Sequence, residues 1–119
     1  MNELAKEIHS IAKSKGWWDA ERSFPEIIAL CHSELSEALE EYRVGSTYLY
    51  SEFFGEGGDV LPESFPEGIK PQGIAVELAD VIIRILDFCG KEDIDIEGIV
   101  HLKHEYNKTR PYRHGGKMC

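Results

Sequence analysis

"VELADVIIRILDFC", Val76 to Cys89, is the stretch whose reading decides the fold. An α-helix turns about 100° per residue, so positions i, i+3, i+7 and i+10 fall on one stripe. Glu77, Asp80, Arg84 and Asp87 have that spacing and share an arc of about 80°. Every other position from Ile74 to Cys89 is Ile, Val, Leu, Ala, Phe or Cys. A helix that is apolar nearly all round is a buried one. The spacing therefore predicts a central helix whose charged stripe faces something other than bulk water. Carboxylates in such a place are costly unless a cation or hydrogen bonds compensate them. A bound metal ion is one solution. A purely structural network, with Arg84 neutralising Asp80 or Asp87, is the other.

The same wheel applied upstream, to "HSELSEALEEYR" (32–43), gives a second set of inward acids. Ile27, Leu30, Cys31, Ala38 and Tyr42 define an apolar face, with Glu34 in its middle, Glu41 nearby and Glu37 at its edge. Glu34 and Glu37 thus point toward the core from one helix, as Glu77 and Asp80 do from another. One E-x-x-E pair on a helix is common and solvated; an E-x-x-D inside an apolar helix is much rarer. Two such pairs can converge four carboxylates on one site. That hard-oxygen set suits Mg²⁺ or Mn²⁺, and the absence of His and Cys from it disfavours zinc.

The rest of the chain supplies the scaffold. Leu4, Ile8, Ile11 and Ala12 recur at helical spacing before Gly16, giving a helix near residues 2–15. A second runs from about Pro25 to Val44, capped near Ser23 or Phe24 and ended by Gly45. A third runs from about Gln72 to Cys89, stopped by Gly90, and a fourth covers about 95–109 before Pro111. Residues 45–73 are dense in glycine, carry three prolines, and predict an insertion in the form of a long loop or short hairpin. Four helices with little sign of strand make an all-α, four-helix bundle-like fold. At 119 residues, the whole chain is one domain.

Composition narrows the function further. Apolar residues at 42% and charged residues at 29% are ordinary for a globular chain. No apolar run approaches the ~20 residues of a membrane span, and "MNELAKEIHS" has no apolar signal-peptide core. Cys31, Cys89 and Cys119 form no CxxC and no even set, which points to reduced thiols in a cytoplasmic protein. A net charge of −9 disfavours nucleic acid as a partner. Residues 103–119 are the exception, with five Lys or Arg against Glu105 alone: +4 here and −13 elsewhere make up that total. Such a basic tail suits phosphate groups, or the acidic body of its own or a neighbouring chain.

"SELSEALEEYR" followed by "VELADVIIRILDFCG" resembles the paired motif of the MazG-like all-α nucleotide pyrophosphohydrolases, and "KHEYNKTRPYRHGGK" is similar to the C-terminal segment of one branch of that superfamily. The resemblance covers nearly all of the chain except 45–73. It implies a homodimer or a dimer of dimers. It also implies Mg²⁺-dependent hydrolysis of nucleoside triphosphates to monophosphate and pyrophosphate, with Glu34, Glu37, Glu77 and Asp80 as catalytic metal ligands. Two departures stand out. The family often has a second acid just before its first motif glutamate, where this chain has Ser33, and residues 45–73 lengthen the usual gap. Ser33 supports a rival reading, a non-catalytic Mg²⁺- and nucleotide-binding regulatory protein of the same fold. A purely structural helical interaction module is a third.

Three residues of the fourth helix, Lys103, Asn107 and Arg110, sit at i, i+4 and i+7 and form a candidate phosphate-binding stripe. Trp17 and Trp18 are candidates to stack on a base, one of the two being the better core residue. His32, His101 and His104 read as surface or interface residues, and Arg113, His114 and Lys117 as weaker phosphate candidates. Tyr48, Tyr50, Phe53 and Phe54 pack the insertion down or line a pocket.

Overall fold

The structure, a computed structural model, describes residues 1–51 and 60–112. Four α-helices make up its regular structure: α1 Asn2–Ser14, α2 Phe24–Arg43, α3 Ile74–Glu92 and α4 Ile96–Lys108. The architecture is all-α and bundle-like. α3 is the central element and packs against both α1 and α2. Its contact surface buries Leu86 and Cys89 against Ala5 of α1 and Ile27, Cys31 and Ala38 of α2.

Local chemistry sets the ends of these helices. The Ser23 hydroxyl accepts the Glu26 amide at 3.2 Å, and Pro25 occupies the first turn, so α2 starts where its cap allows. Two amides at the start of α3, Ile74 and Ala75, donate to the Thr47 and Tyr48 carbonyls of the insertion at 3.1 and 3.0 Å. Gly73, at φ 127°, lets the insertion approach that closely; a Cβ there would collide with the Tyr48 carbonyl. The insertion closes on itself through one antiparallel bridge, Tyr50 to Gln72, and carries a 3₁₀ turn at Pro62–Ser64. Phe53 and Phe54, like Arg113, His114, Lys117 and Cys119, lie outside the described residues.

Gly90 does not end α3, which runs on to Glu92 before Asp93 turns left-handed at φ 55°. The glycine marks instead the point where α3 crosses α1, since a Cβ on it would meet the Ala5 carbonyl and the His9 side chain. Below that crossing, Asp87 ties three segments together. His9 Nδ1 of α1 lies 2.8 Å from its Oδ1, and the Trp18 indole N–H of the α1–α2 connector donates to it at 3.0 Å.

The expected burial of α3 needs correction. α3 is not buried all round within one chain: Ile82 is 56% exposed, and Leu78, Ile83 and Ile85 are also open to solvent. Leu35 and Leu39 of α2 are exposed likewise, and Tyr42 lies outside the core. The fourth helix joins this bundle-like arrangement at one end. It is held by its N-terminus, where Asn2 donates to Asp95, the Glu97 amide donates to Asn2, and the Met1 ammonium pairs with Glu97 at 2.8 Å. Beyond that clamp no residue of α4 is buried among the described residues, and Leu102 is 71% exposed. The radius of gyration, 17.1 Å, exceeds the ~13 Å of a compact domain of about this size, as a projecting helix requires. Among the described residues no helix is long and apolar enough to cross a membrane.

Candidate metal centre

Where α2 lies against the first two turns of α3, Glu34, Glu77 and Asp80 each present a carboxylate oxygen, all within 4.8 Å of one another. The i, i+3 spacing puts Glu77 and Asp80 on the α3 face that meets α2, one turn apart. Glu37, one turn beyond Glu34, reaches the same group from a more exposed position and shares a hydrogen bond with Glu77. The four acids read from the sequence are therefore brought together, three closely and one at the rim.

The acids of this group act on one another's protonation. Glu77 is pushed up to about 7, first by burial, then by its hydrogen bond with Glu37 and by the charges of Glu37, Asp80 and Glu34. Burial and the Glu34 charge likewise raise Asp80, against the opposing pull of Arg84 and Lys70. Glu77 Oε2 is enclosed and has no hydrogen-bond partner among the described residues. Three converging carboxylates, one of which keeps an enclosed oxygen without a hydrogen-bond partner, form a donor set that fits a hard divalent cation. Glu34, Glu77 and Asp80 would hold such an ion, with Glu37 at its edge.

Arg84 does not pair with Asp80 or Asp87. Its Nε and Nη2 both donate to Glu34 Oε1, at 3.1 and 2.9 Å. Cavities open on two sides of the acid group, and Glu34 and Asp80 line both. The larger, about 660 Å³, is walled by Ile8, Ile11, Trp17, Arg22, Ile83 and Arg84. Arg22 and Arg84 lie over the Trp17 ring, their Cζ atoms 3.7 and 4.7 Å from its centroid. The second, about 520 Å³, is lined by acids together with Lys70 and Gln72 of the insertion.

The two tryptophans thus divide. Trp17 lines the larger cavity beside the acids, whereas Trp18 spends its N–H on Asp87 and belongs to the helix-locking cluster. Lys103, Asn107 and Arg110 border neither cavity, because α4 does not pack along α2 or α3. Lys103 and Arg110 instead lie near the Tyr106 ring of their own helix. His32, His101 and His104 are exposed, as is Ser33 on the outer side of α2. Sequence reasoning misses Lys70. Its only signal there is a lone cation in a Gly- and Pro-rich insertion shortly before the second acid motif.

No family model matches this chain, and no curated protein or solved structure matches it either.

Proposed function

We infer that the chain is a Mg²⁺-dependent nucleoside triphosphate pyrophosphohydrolase of the MazG-like kind, cleaving between the α and β phosphates. The observation that carries this reading is the convergence of Glu34, Glu77 and Asp80 from two helices within 4.8 Å, next to a cavity with an aromatic and cationic wall. A divalent cation, Mg²⁺ or Mn²⁺, supplies charge neutralisation of a triphosphate and activation of a water when bound. The chain's own residues do the rest. Trp17 holds Arg22 and Arg84 over its ring, so that both keep positive charge beside the acids for a phosphate group, and Lys70 faces phosphate oxygens from the second cavity. Ile8, Ile11 and Ile83 give the larger cavity an apolar wall.

The working unit in this proposal is a homodimer or a dimer of dimers in a cytoplasmic setting. The exposed aliphatics of α2 and α3 support it, since Ile82 and Leu39 are 56% and 49% open in one chain and their burial is favourable. The projecting α4 supports it also: its Lys103, Asn107 and Arg110 can serve an acid cluster only by reaching a second copy. Ile82→Glu should convert the oligomer to monomer in analytical ultracentrifugation; an unchanged sedimentation coefficient would place the interface elsewhere.

Product analysis with Mg²⁺ and a panel of ribo- and deoxynucleoside triphosphates tests the activity. Monophosphate plus pyrophosphate is expected. No product with either Mg²⁺ or Mn²⁺ would overturn the catalytic reading. One observation favours the alternative, a binding-only regulatory protein: Ser33 occupies an exposed position where an assisting acid would be expected. Nucleotide-dependent thermal stabilisation without turnover would select it.

A further inference from the structure

Arg84 lines the larger cavity together with Glu34 and Asp80 of the acid cluster, and its bonding is unusual. A guanidinium and a carboxylate pair most strongly as a fork, two donors on two oxygens. Here both donors converge on the single oxygen Glu34 Oε1, at 3.1 and 2.9 Å. The same guanidinium lies 4.7 Å from the Trp17 ring centroid and lines the cavity wall. Arg22, over the same ring, is otherwise committed: it donates to the Trp17 carbonyl at 2.8 Å and to Glu26 at 2.7 Å. Arg84 is thus the cavity arginine whose carboxylate partner belongs to the candidate metal centre.

We propose that Arg84 is a ligand-binding residue that serves two anions in turn, Glu34 in the cation-free protein and a phosphate group of the cavity ligand once a divalent cation engages Glu34. This rests on the metal reading above. The physical argument is competition. A cation bonded to Glu34, Glu77 and Asp80 neutralises the charge that holds the guanidinium and repels it. A guanidinium cannot discharge itself by losing its proton, so it needs another anion. Trp17 keeps it inside the cavity by attraction to the ring face, one helical turn from Asp80 and within reach of a phosphorylated ligand. Cation binding and ligand binding then support each other, because the first frees the group that the second requires.

Calorimetric titration of the full chain tests this, using Mn²⁺ alone and then a non-hydrolysable α,β-methylene nucleoside triphosphate added to the Mn²⁺-loaded protein. Arg84→Met should bind Mn²⁺ at least about fivefold more tightly than the parent, because a competitor has gone. It should bind the analogue at least about fivefold more weakly, and Arg84→Lys should restore part of that loss. Weaker Mn²⁺ binding in Arg84→Met would show that Arg84 only orients Glu34 for the metal, and overturns the proposal while leaving the metal site standing. Unchanged affinity for Mn²⁺ or for the analogue overturns it too. Absence of Mn²⁺ binding in the parent removes the metal reading and the proposal together. A measurement without any substitution completes the test: the Nε–H resonance of Arg84 should move when Mg²⁺ is added, and a stationary resonance contradicts displacement.

Discussion

The two ends of the α3 stripe lie on one helical face and have opposite fates. At the C-terminal end, Asp87 is only 6% exposed, yet its carboxylate meets His9 and the Trp18 N–H. At the N-terminal end, Glu77 is less deeply buried than Asp87, yet one oxygen has no partner among the described residues, and its proton affinity is raised first by desolvation and then by three neighbouring acids. Burial alone therefore does not tell the two ends apart. The distinguishing feature is what remains unsatisfied: one end is a completed lock between α1, α3 and the connector, and the other keeps an enclosed carboxylate oxygen without a hydrogen-bond partner among the described residues.

The largest expected effect separates these ends by activity. Asp80→Asn or Glu77→Gln should lower Mg²⁺-dependent pyrophosphate release by about 100- to 1,000-fold, the scale of losing several kcal/mol of metal-assisted stabilisation. Neither change should lower the melting temperature of the cation-free protein, since each relieves repulsion. The mirror experiment is Asp87→Ala. It should cost about 2–3 kcal/mol in denaturant unfolding by stranding the Trp18 and His9 donors, while Mn²⁺ affinity at the other end stays at the parent value. Full loss of Mn²⁺ binding in that variant would mean that the two ends are one unit.

A pH titration sharpens the contrast at intermediate size. A carboxyl whose folded pKa is raised stabilises the fold below its unfolded value and loses that contribution as pH climbs through the folded value. Glu77 rises from an ordinary 4.5 to about 7, so the cation-free protein should melt at progressively lower temperature across that window. Glu77→Gln should flatten the slope, and Mg²⁺ at pH 8 should reverse the loss. An equally steep profile in Glu77→Gln would assign the slope to other groups. The smallest effect belongs to Lys70→Ala. An exposed cation of this kind contributes up to about 1 kcal/mol, so triphosphate affinity should fall by no more than about fivefold with unchanged Mn²⁺ affinity.

Much of this contrast is legible in the sequence, for a physical reason. Helical periodicity fixes which residues share a face, so the pattern alone turns Glu34, Glu77 and Asp80 inward from two helices toward a common site. Periodicity does not say which neighbour a charge selects. Arg84 is one turn from both Asp80 and Asp87, but its partner is Glu34, fifty positions away on α2. Gly90 reads as a helix stop by propensity, and only the crossing of α1 shows that it serves close packing. Lys70 and the division of labour between Trp17 and Trp18 depend on how connectors lie over the helices, which no local pattern encodes. The apolar circumference of α3 is equally plain in the sequence, yet one copy of the chain covers only part of it, because α4 projects away from it.

The glycine at the α1–α3 crossing also constrains how this protein could diverge. A site that admits no side chain closes off one route of change, because altering the crossing would demand coordinated replacements on both helices. Ile8, Ile11 and Ile83, by contrast, line the cavity without anchoring that crossing. Variation in ligand preference among descendants of this sequence should therefore accumulate at those three wall positions, with position 90 held invariant.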